Sequence, residues 1–217
     1  MLDKKQVLDG LKKLREASAK RKFTQSIDLQ ISLKDTDVKK PENKLKEVVI
    51  LPHGLGKKVS VAIFVDKELV EPASKVFDEV IKKDDFKLFK KKREIKNLVR
   101  KHNVFVAQAN LMGEVAQSFG KFLGPKGRMP DPKAGGVIPP KKDLLKPIYD
   151  KMQRTVIVRV KDQPTIGVRV GVESMSDSEL ADNILAVYKV VVSKLPRHEE
   201  QVSEVYVKMT MSRSVRL

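Results

Sequence analysis

The sequence predicts an α+β chain with an α/β domain inserted into a discontinuous, antiparallel-sheet domain. Three observations predict it. Both ends of the chain carry strands that alternate apolar and polar residues, the pattern of a sheet with one bare face. Between them, VSVAIFVD and NVFVAQANLM are unbroken apolar runs, as in strands covered on both sides. Segments with helical spacing separate those runs, so strand and helix alternate as they do in parallel units. The expected division is residues 1–58 with 154–217, and 59–153 as the insert.

Each element follows from its own pattern. Leu2, Val7, Leu8, Leu11 and Leu14 recur near helical spacing and predict an amphipathic helix over residues 3–20. In FTQSIDLQISL, Phe23, Ile27, Leu29, Ile31 and Leu33 predict one face of a strand; Thr24, Ser26, Asp28, Gln30 and Ser32 predict the other. KPENK reads as a turn, EVVIL as a strand and PHGLGKK as a break. In the insert, which is expected to be Rossmann-like, VSVAIFVD is followed by a broken helix, KELVEPASKVF, and a short strand, EVI. DDFKLFKKKREIKNLVRKH predicts a long basic helix capped by Asp84 or Asp85. NVFVAQANLM is a strand and GEVAQSFGKFL a helix, and a further helix is expected around Asp143–Gln153. TVIVRV-KDQP-TIGVRVGV predicts a two-strand hairpin. SDSELADNILAVYKVVVSKL predicts a helix capped by Ser176 or Asp177, with Glu179 completing the cap. In the closing EVYVKMTMSRSVRL, Val205, Val207, Met209 and Met211 are expected on one face, and Tyr206, Lys208, Thr210 and Ser212 on the other.

Composition then bounds function. The 217 residues hold 45 cations against 28 anions, a net charge of +17, which favours a polyanionic partner. Both expected domains share the excess: 25 cations and 16 anions in the split domain (+9), 20 and 12 in the insert (+8). No apolar run reaches the ~18 residues of a membrane span. The N-terminal MLDKKQVLDGLKKLREASAK lacks a signal peptide's apolar centre. The absence of cysteine excludes disulfides and fits a cytoplasmic chain. No long exposed apolar stripe calls for a dimer, so a monomer is expected when the chain is free.

Catalytic patterns are missing. In FLGPKGRMPDP, Phe122–Pro132, glycine and lysine lie as if to cradle a phosphate. Five positions after Gly120 stands Pro125, however, and no hydroxyl follows Lys126. VAIFVDKEL has no glycine for a dinucleotide turn. His53, His102 and His198 are isolated, HEEQV lacks a second histidine, and no GxSxG occurs. No enzyme, metal or cofactor is expected. Binding remains: the polar row Lys208, Thr210, Ser212 beside the polar row of residues 24–32, edged by Arg21, Lys22 and Arg213, suits an RNA groove read by its shape and 2′-hydroxyls. The alternative from another class is a chromatin-like DNA-binding protein, which would hold duplex DNA and RNA equally through their phosphates.

Four motifs bring a family into view. KFTQS (Lys22–Ser26), LPHGLGK (Leu51–Lys57), FLGPKGRMP (Phe122–Pro130) and KMTMS (Lys208–Ser212) stand in one order. In this the chain resembles the L-one family of large-subunit ribosomal proteins, in its archaeal and eukaryotic form, over essentially its whole length. The resemblance implies a two-domain protein on the ribosome that binds large-subunit rRNA at the mobile stalk beside the exit site and helps deacylated tRNA leave. It also implies repression of the protein's own mRNA. Carried over, the RNA-binding residues are Lys22, Phe23, Ser26, Lys208, Thr210, Met211 and Ser212, with Asp162 in KDQP; the family usually has glycine at the position of Ser212. FLGPKGRMP is the signature of the second domain, away from the main contact, with Lys126 and Arg128 as secondary RNA contacts.

Overall fold

The computed structural model describes residues 2–36, 45–87, 89, 92–160 and 163–217. The chain divides into two compact units, Met1–Lys57 with Arg154–Leu217, and Lys58–Gln153. The split unit opens with helix α1 (Lys4–Glu16) and strands β1 (Ser26–Leu33) and β2 (Lys46–Ile50). The second unit contains β3 (Val61–Val65), α2 (Val70–Ser74), β4 (Glu79–Lys82), α3 (Lys92–Lys101), β5 (Val104–Gln108), α4 (Met112–Leu123), β6 (Val137–Ile138) and α5 (Leu145–Arg154). The chain returns as β7 (Thr155–Arg159), β8 (Thr165–Val172), α6 (Asp177–Lys194), β9 (Val202–Met209) and β10 (Val215–Arg216).

The split unit is built on a four-stranded antiparallel sheet, β10-β9-β1-β8. Ile27, Leu29, Ile31, Val168, Val170, Val205, Val207 and Met209 are buried, and they share one core with Val7, Leu11 and Leu14 of α1 and with Leu180, Ile184, Val187 and Val191 of α6. The opposite face carries Asp28, Gln30, Arg169 and Lys208, all exposed. One face is therefore covered by helices and the other is bare. α1 stops at Glu16 rather than Lys20. ASAKRK, which follows, offers no large apolar side chain whose burial would hold another turn. α6 begins as its sequence predicts: the Ser176 hydroxyl accepts from Glu179 N–H at 3.3 Å, and the Glu179 carboxylate accepts from Ser176 N–H at 3.0 Å.

Two expectations fail here. β7 and β8 are not a hairpin: β7 pairs with β2 in a separate two-stranded sheet, while β8 pairs with β1. Alternation tells which face a residue takes and is silent about which strand lies alongside. The final strand also ends at Met209, and after a turn β10 doubles back so that Val215 faces Val207 and Arg216 faces Tyr206.

The second unit holds a parallel sheet, β4-β3-β5-β6. All five residues of β3 are buried, as its unbroken apolar run requires. Phe64, Phe86, Phe105 and Phe119 meet in the core, with Phe64 and Phe119 ring centres 5.0 Å apart. The basic segment is not one long helix. Asp84 and Asp85 lie inside a tight 3₁₀ turn (Lys83–Lys87), and α3 begins only at Lys92. The expected turn KPENK and the residue Asp162 lie outside the described residues.

Candidate nucleic-acid interface

The four-stranded sheet brings KFTQS and KMTMS to one edge. β1 and β9 run side by side, with Ile27 opposite Met209 and Asp28 opposite Lys208. Ser26 and Thr210 close the end of that ladder: the Ser26 amide donates to the Thr210 hydroxyl at 3.1 Å, and the Thr210 amide donates to the Ser26 carbonyl at 3.1 Å. Thr210, Met211 and Ser212 form a turn rather than a continued strand, so parity no longer dictates where their side chains go. Met211 is 60% exposed instead of sharing the core face with Met209.

Phe23 departs from its expected place in the same way. It lies before β1 begins and is 52% exposed. Two large apolar side chains thus stand in water at one end of a sheet whose other apolar residues are buried or half-buried. Lys20, Arg21, Lys22, Phe23 and Thr24, with Glu173 and Ser174, line a shallow recess of about 350 Å³. Lys20, Arg21, Lys22, Arg169, Lys208 and Arg213 are exposed, and none has an ion-pair partner among the described residues. Asp28 lies between Lys208 on one neighbouring strand and Arg169 on the other, and Glu173 is the acid in the wall of the recess. The field is strongly positive, and the exposed aromatic supplies a surface on which a base or sugar can stack.

Two residues without an expected role hold this arrangement. Gln25 is fully buried; its side-chain carbonyl accepts from the Met211 amide at 3.1 Å, and its amide nitrogen donates to the Ser18 hydroxyl at 3.3 Å. The sequence did carry a flag for it, a polar residue at an odd position of a strand whose odd positions are otherwise apolar. Arg15 donates to Asp177 at 2.7 Å, to the Glu173 carbonyl at 3.0 Å and to the Met175 carbonyl at 2.7 Å, fixing the loop that walls the recess. Only the β1–β8 pairing brings that loop near Phe23, so no local pattern could reveal it.

Ser212 turns inward. Its hydroxyl accepts from the Met209 amide at 3.0 Å and donates to the Arg213 carbonyl at 2.9 Å. It is a turn-closing group here, while Lys22, Phe23, Lys208 and Met211 are the outward ones.

A family model described as the ribosomal protein L1p/L10e family matches residues 14–213. The chain belongs to that family. Large ribosomal subunit protein uL1 of Pyrococcus horikoshii is 38% identical over 216 residues, 99% of this chain and 96% of the relative. The proteins of the same name from Methanothermobacter thermautotrophicus and Nanoarchaeum equitans are 41% and 40% identical, each over at least 97% of this chain and 98% of its own length. As an L1p/L10e member the chain is a ribosomal protein and not an enzyme.

The two remaining motifs of this L1p/L10e chain have structural work. In LPHGLGK, Gly54 and Gly56 take left-handed backbone angles (φ 66° and 67°), and a Cβ at Gly56 would press within 2.6 Å of Val172. Buried Asn183 of α6 clasps that loop, donating to the carbonyls of Gly54 and Val170 at 2.9 Å and accepting from the His53 amide at 3.1 Å. In FLGPKGRMP the two cations separate. Lys126 is exposed, whereas the Arg128 guanidinium donates to the carbonyls of Val99 and, at 2.8 Å, His102. It satisfies the orphan acceptors at the end of α3, as a basic group at a helix C-terminus should.

Proposed function

We propose that this chain is a structural constituent of the large ribosomal subunit, working in the cytoplasm, that binds rRNA through the end of its bare sheet face. Lys22, Phe23, Ser26, Lys208, Thr210 and Met211 make the contact, and Ser212 shapes the turn. One observation carries the reading: Phe23 and Met211 stand exposed, among cations that have no ion-pair partner among the described residues, at the junction of two strands whose other apolar residues are buried or half-buried. Phosphates neutralise the cations, the apolar tips pack against sugars or bases, and the exposed backbone of the turn approaches a groove. Family membership and relatives named for the large subunit support the assignment.

We further propose that the bound rRNA is the mobile stalk beside the exit site, that the protein thereby assists release of deacylated tRNA, and that a similar fold in its own mRNA lets it repress translation. The test is titration of the full chain with a stalk rRNA fragment and with duplex DNA of equal length at 150 mM salt. Tight binding to the RNA alone is expected, with Phe23→Ala and Met211→Ala each weakening it about tenfold while leaving the melting curve intact. Equal affinity for the DNA overturns the assignment in favour of a general phosphate binder.

A further inference from the structure

We propose that the second unit carries an independent docking surface for the phosphate backbone of double-helical RNA, formed by Lys92, Arg93, Lys96 and Arg100 of α3 and extended by Lys126. α3 buries Ile95, Leu98 and Val99 against the unit's core. At 100° per residue the four cations fall within about a third of the helix circumference, in a sector beside the buried stripe, with Lys92 nearest to it and Arg93 farthest from it. Lys92, Lys96 and Arg100 stand four residues apart, in a row about 12 Å long. Like charges at that spacing repel and destabilise a helix. Glu94, the helix's one acid, has Asn97 and Leu98 three and four residues on and so offsets none of the row. None of the four cations pairs with a described residue. α3 holds five cations and one anion, so half of the insert's net +8 sits on ten residues.

An ordinary solvated helix interleaves its signs along a face; this one keeps an uncompensated ladder that a polyanion would relieve. The chemistry of the face narrows the partner. It presents no aromatic group for stacking on unpaired bases, which disfavours a single strand. Its apolar residues are committed to the core, so nothing is left to enter a lipid surface as a membrane-bound amphipathic helix does. What remains is a line of charges that follows a regular row of phosphates, with little preference for sequence. Arg128 adds to this indirectly: by bonding the Val99 and His102 carbonyls it docks its loop on the end of α3, with exposed Lys126 two residues away.

The surface does not depend on the sheet-end site, and its test uses a different ligand. A 20-base-pair RNA duplex of arbitrary sequence is titrated with the full chain between 50 and 300 mM KCl, followed by fluorescence anisotropy. The variant Arg93→Ala, Lys96→Ala, Arg100→Ala, all three exposed, should bind at least tenfold more weakly at 100 mM. Its slope of log affinity on log salt should fall by about 2 to 3, at roughly 0.9 per phosphate contact. Arg93→Lys with Arg100→Lys keeps the charges and should stay within about threefold. Lys5→Ala, Lys12→Ala, Lys13→Ala removes the same charge from exposed positions of α1 and should also stay within about threefold. If that control loses as much as the α3 variant, the effect is net charge and the surface is disproved. No change in the α3 variant overturns it too, as does a stronger α3-dependent attachment to vesicles with 30% phosphatidylserine than to the duplex.

Discussion

Thr210 shows how one hydroxyl can serve fold and ligand together. It accepts from the Ser26 amide at 3.1 Å and lies 3.5 Å from the Ser26 carbonyl, so a lone pair and a weakly engaged proton remain for an incoming phosphate or ribose. Thr210→Val should therefore weaken stalk-rRNA binding by about 1–3 kcal/mol. Loss of the Ser26 partner should cost only a small part of the stability, because that end of the ladder is solvent-exposed. Gln25→Leu makes a sharper contrast. Gln25 is fully buried and is not itself a proposed RNA contact, yet the substitution strips the acceptor from the Met211 amide. Its melting temperature should drop along with its affinity. Isothermal titration and thermal melts of both variants check the pair; a Thr210→Val protein that binds normally removes that residue from the interface. Residue identity, but not orientation, was legible in KMTMS. Parity along a strand assigns sides only while the strand lasts, and β9 ends one residue before Thr210. The same limit misplaces Phe23, three residues ahead of β1.

Elements were legible where one local force decides them. The buried run of β3 and the capping box of α6 are examples, since apolar covering and a Ser–Glu reciprocal cap leave few alternatives. Pairing was less legible, because the β2–β7 and β1–β8 partnerships are settled by the packed core and not by either strand alone. Where FLGPKGRMP meets α3, Lys126 and Arg128 separate by experiment. Arg128→Ala leaves two carbonyls at the helix end without a donor and should destabilise the second unit by about 1–3 kcal/mol. Lys126→Ala, at an exposed position, should stay within about 0.5 kcal/mol. Denaturant melts of the two variants test this, and equal effects would mean that Arg128 caps nothing. The neighbouring charges give a pH prediction. His102, almost fully buried, lies between the Ser60 hydroxyl at 2.8 Å and the Glu79 carboxylate at 2.7 Å. Burial pushes the Glu79 carboxyl up, but hydrogen bonds from Lys101 and His102 outweigh it and hold it below the ordinary carboxylate range. The unfolded chain then takes up the proton more readily than the folded one. The stabilisation is complete above the unfolded value of about 4.3 and is lost as pH falls through the lower folded value. Hydrogen-exchange protection of the β3 and β4 amides should accordingly decline as the pH drops below about 4. Glu79→Gln should flatten that decline and reduce protection at neutral pH.

At the scale of the molecule, the chain crosses between its two units at Lys57–Lys58 and Gln153–Arg154. The Leu51 amide bonds the Arg154 carbonyl at 2.8 Å, so the incoming and outgoing segments are already adjacent within the split unit. A short Gly-Ser linker from Lys57 to Arg154 therefore closes a gap that the fold has nearly closed. The remnant, about 120 residues, is of ordinary domain size. It keeps the whole core of α1, α6 and the four-stranded sheet. It should fold as a soluble, cooperatively melting protein. It also keeps Phe23, Ser26, Thr210 and Met211, so it should retain specific binding to stalk rRNA. The lost affinity should be modest and salt-dependent, because nine net positive charges leave with residues 58–153. Residues 58–153 expressed alone should fold around the Phe64–Phe119 cluster and bind RNA weakly, without sequence preference, through α3. Circular dichroism melts and RNA titrations of the two pieces keep the alternatives apart. If the isolated second unit selects the stalk RNA and the remnant does not, the interface lies in the wrong unit. If the remnant does not fold, the two units depend on each other for stability even though each has its own core.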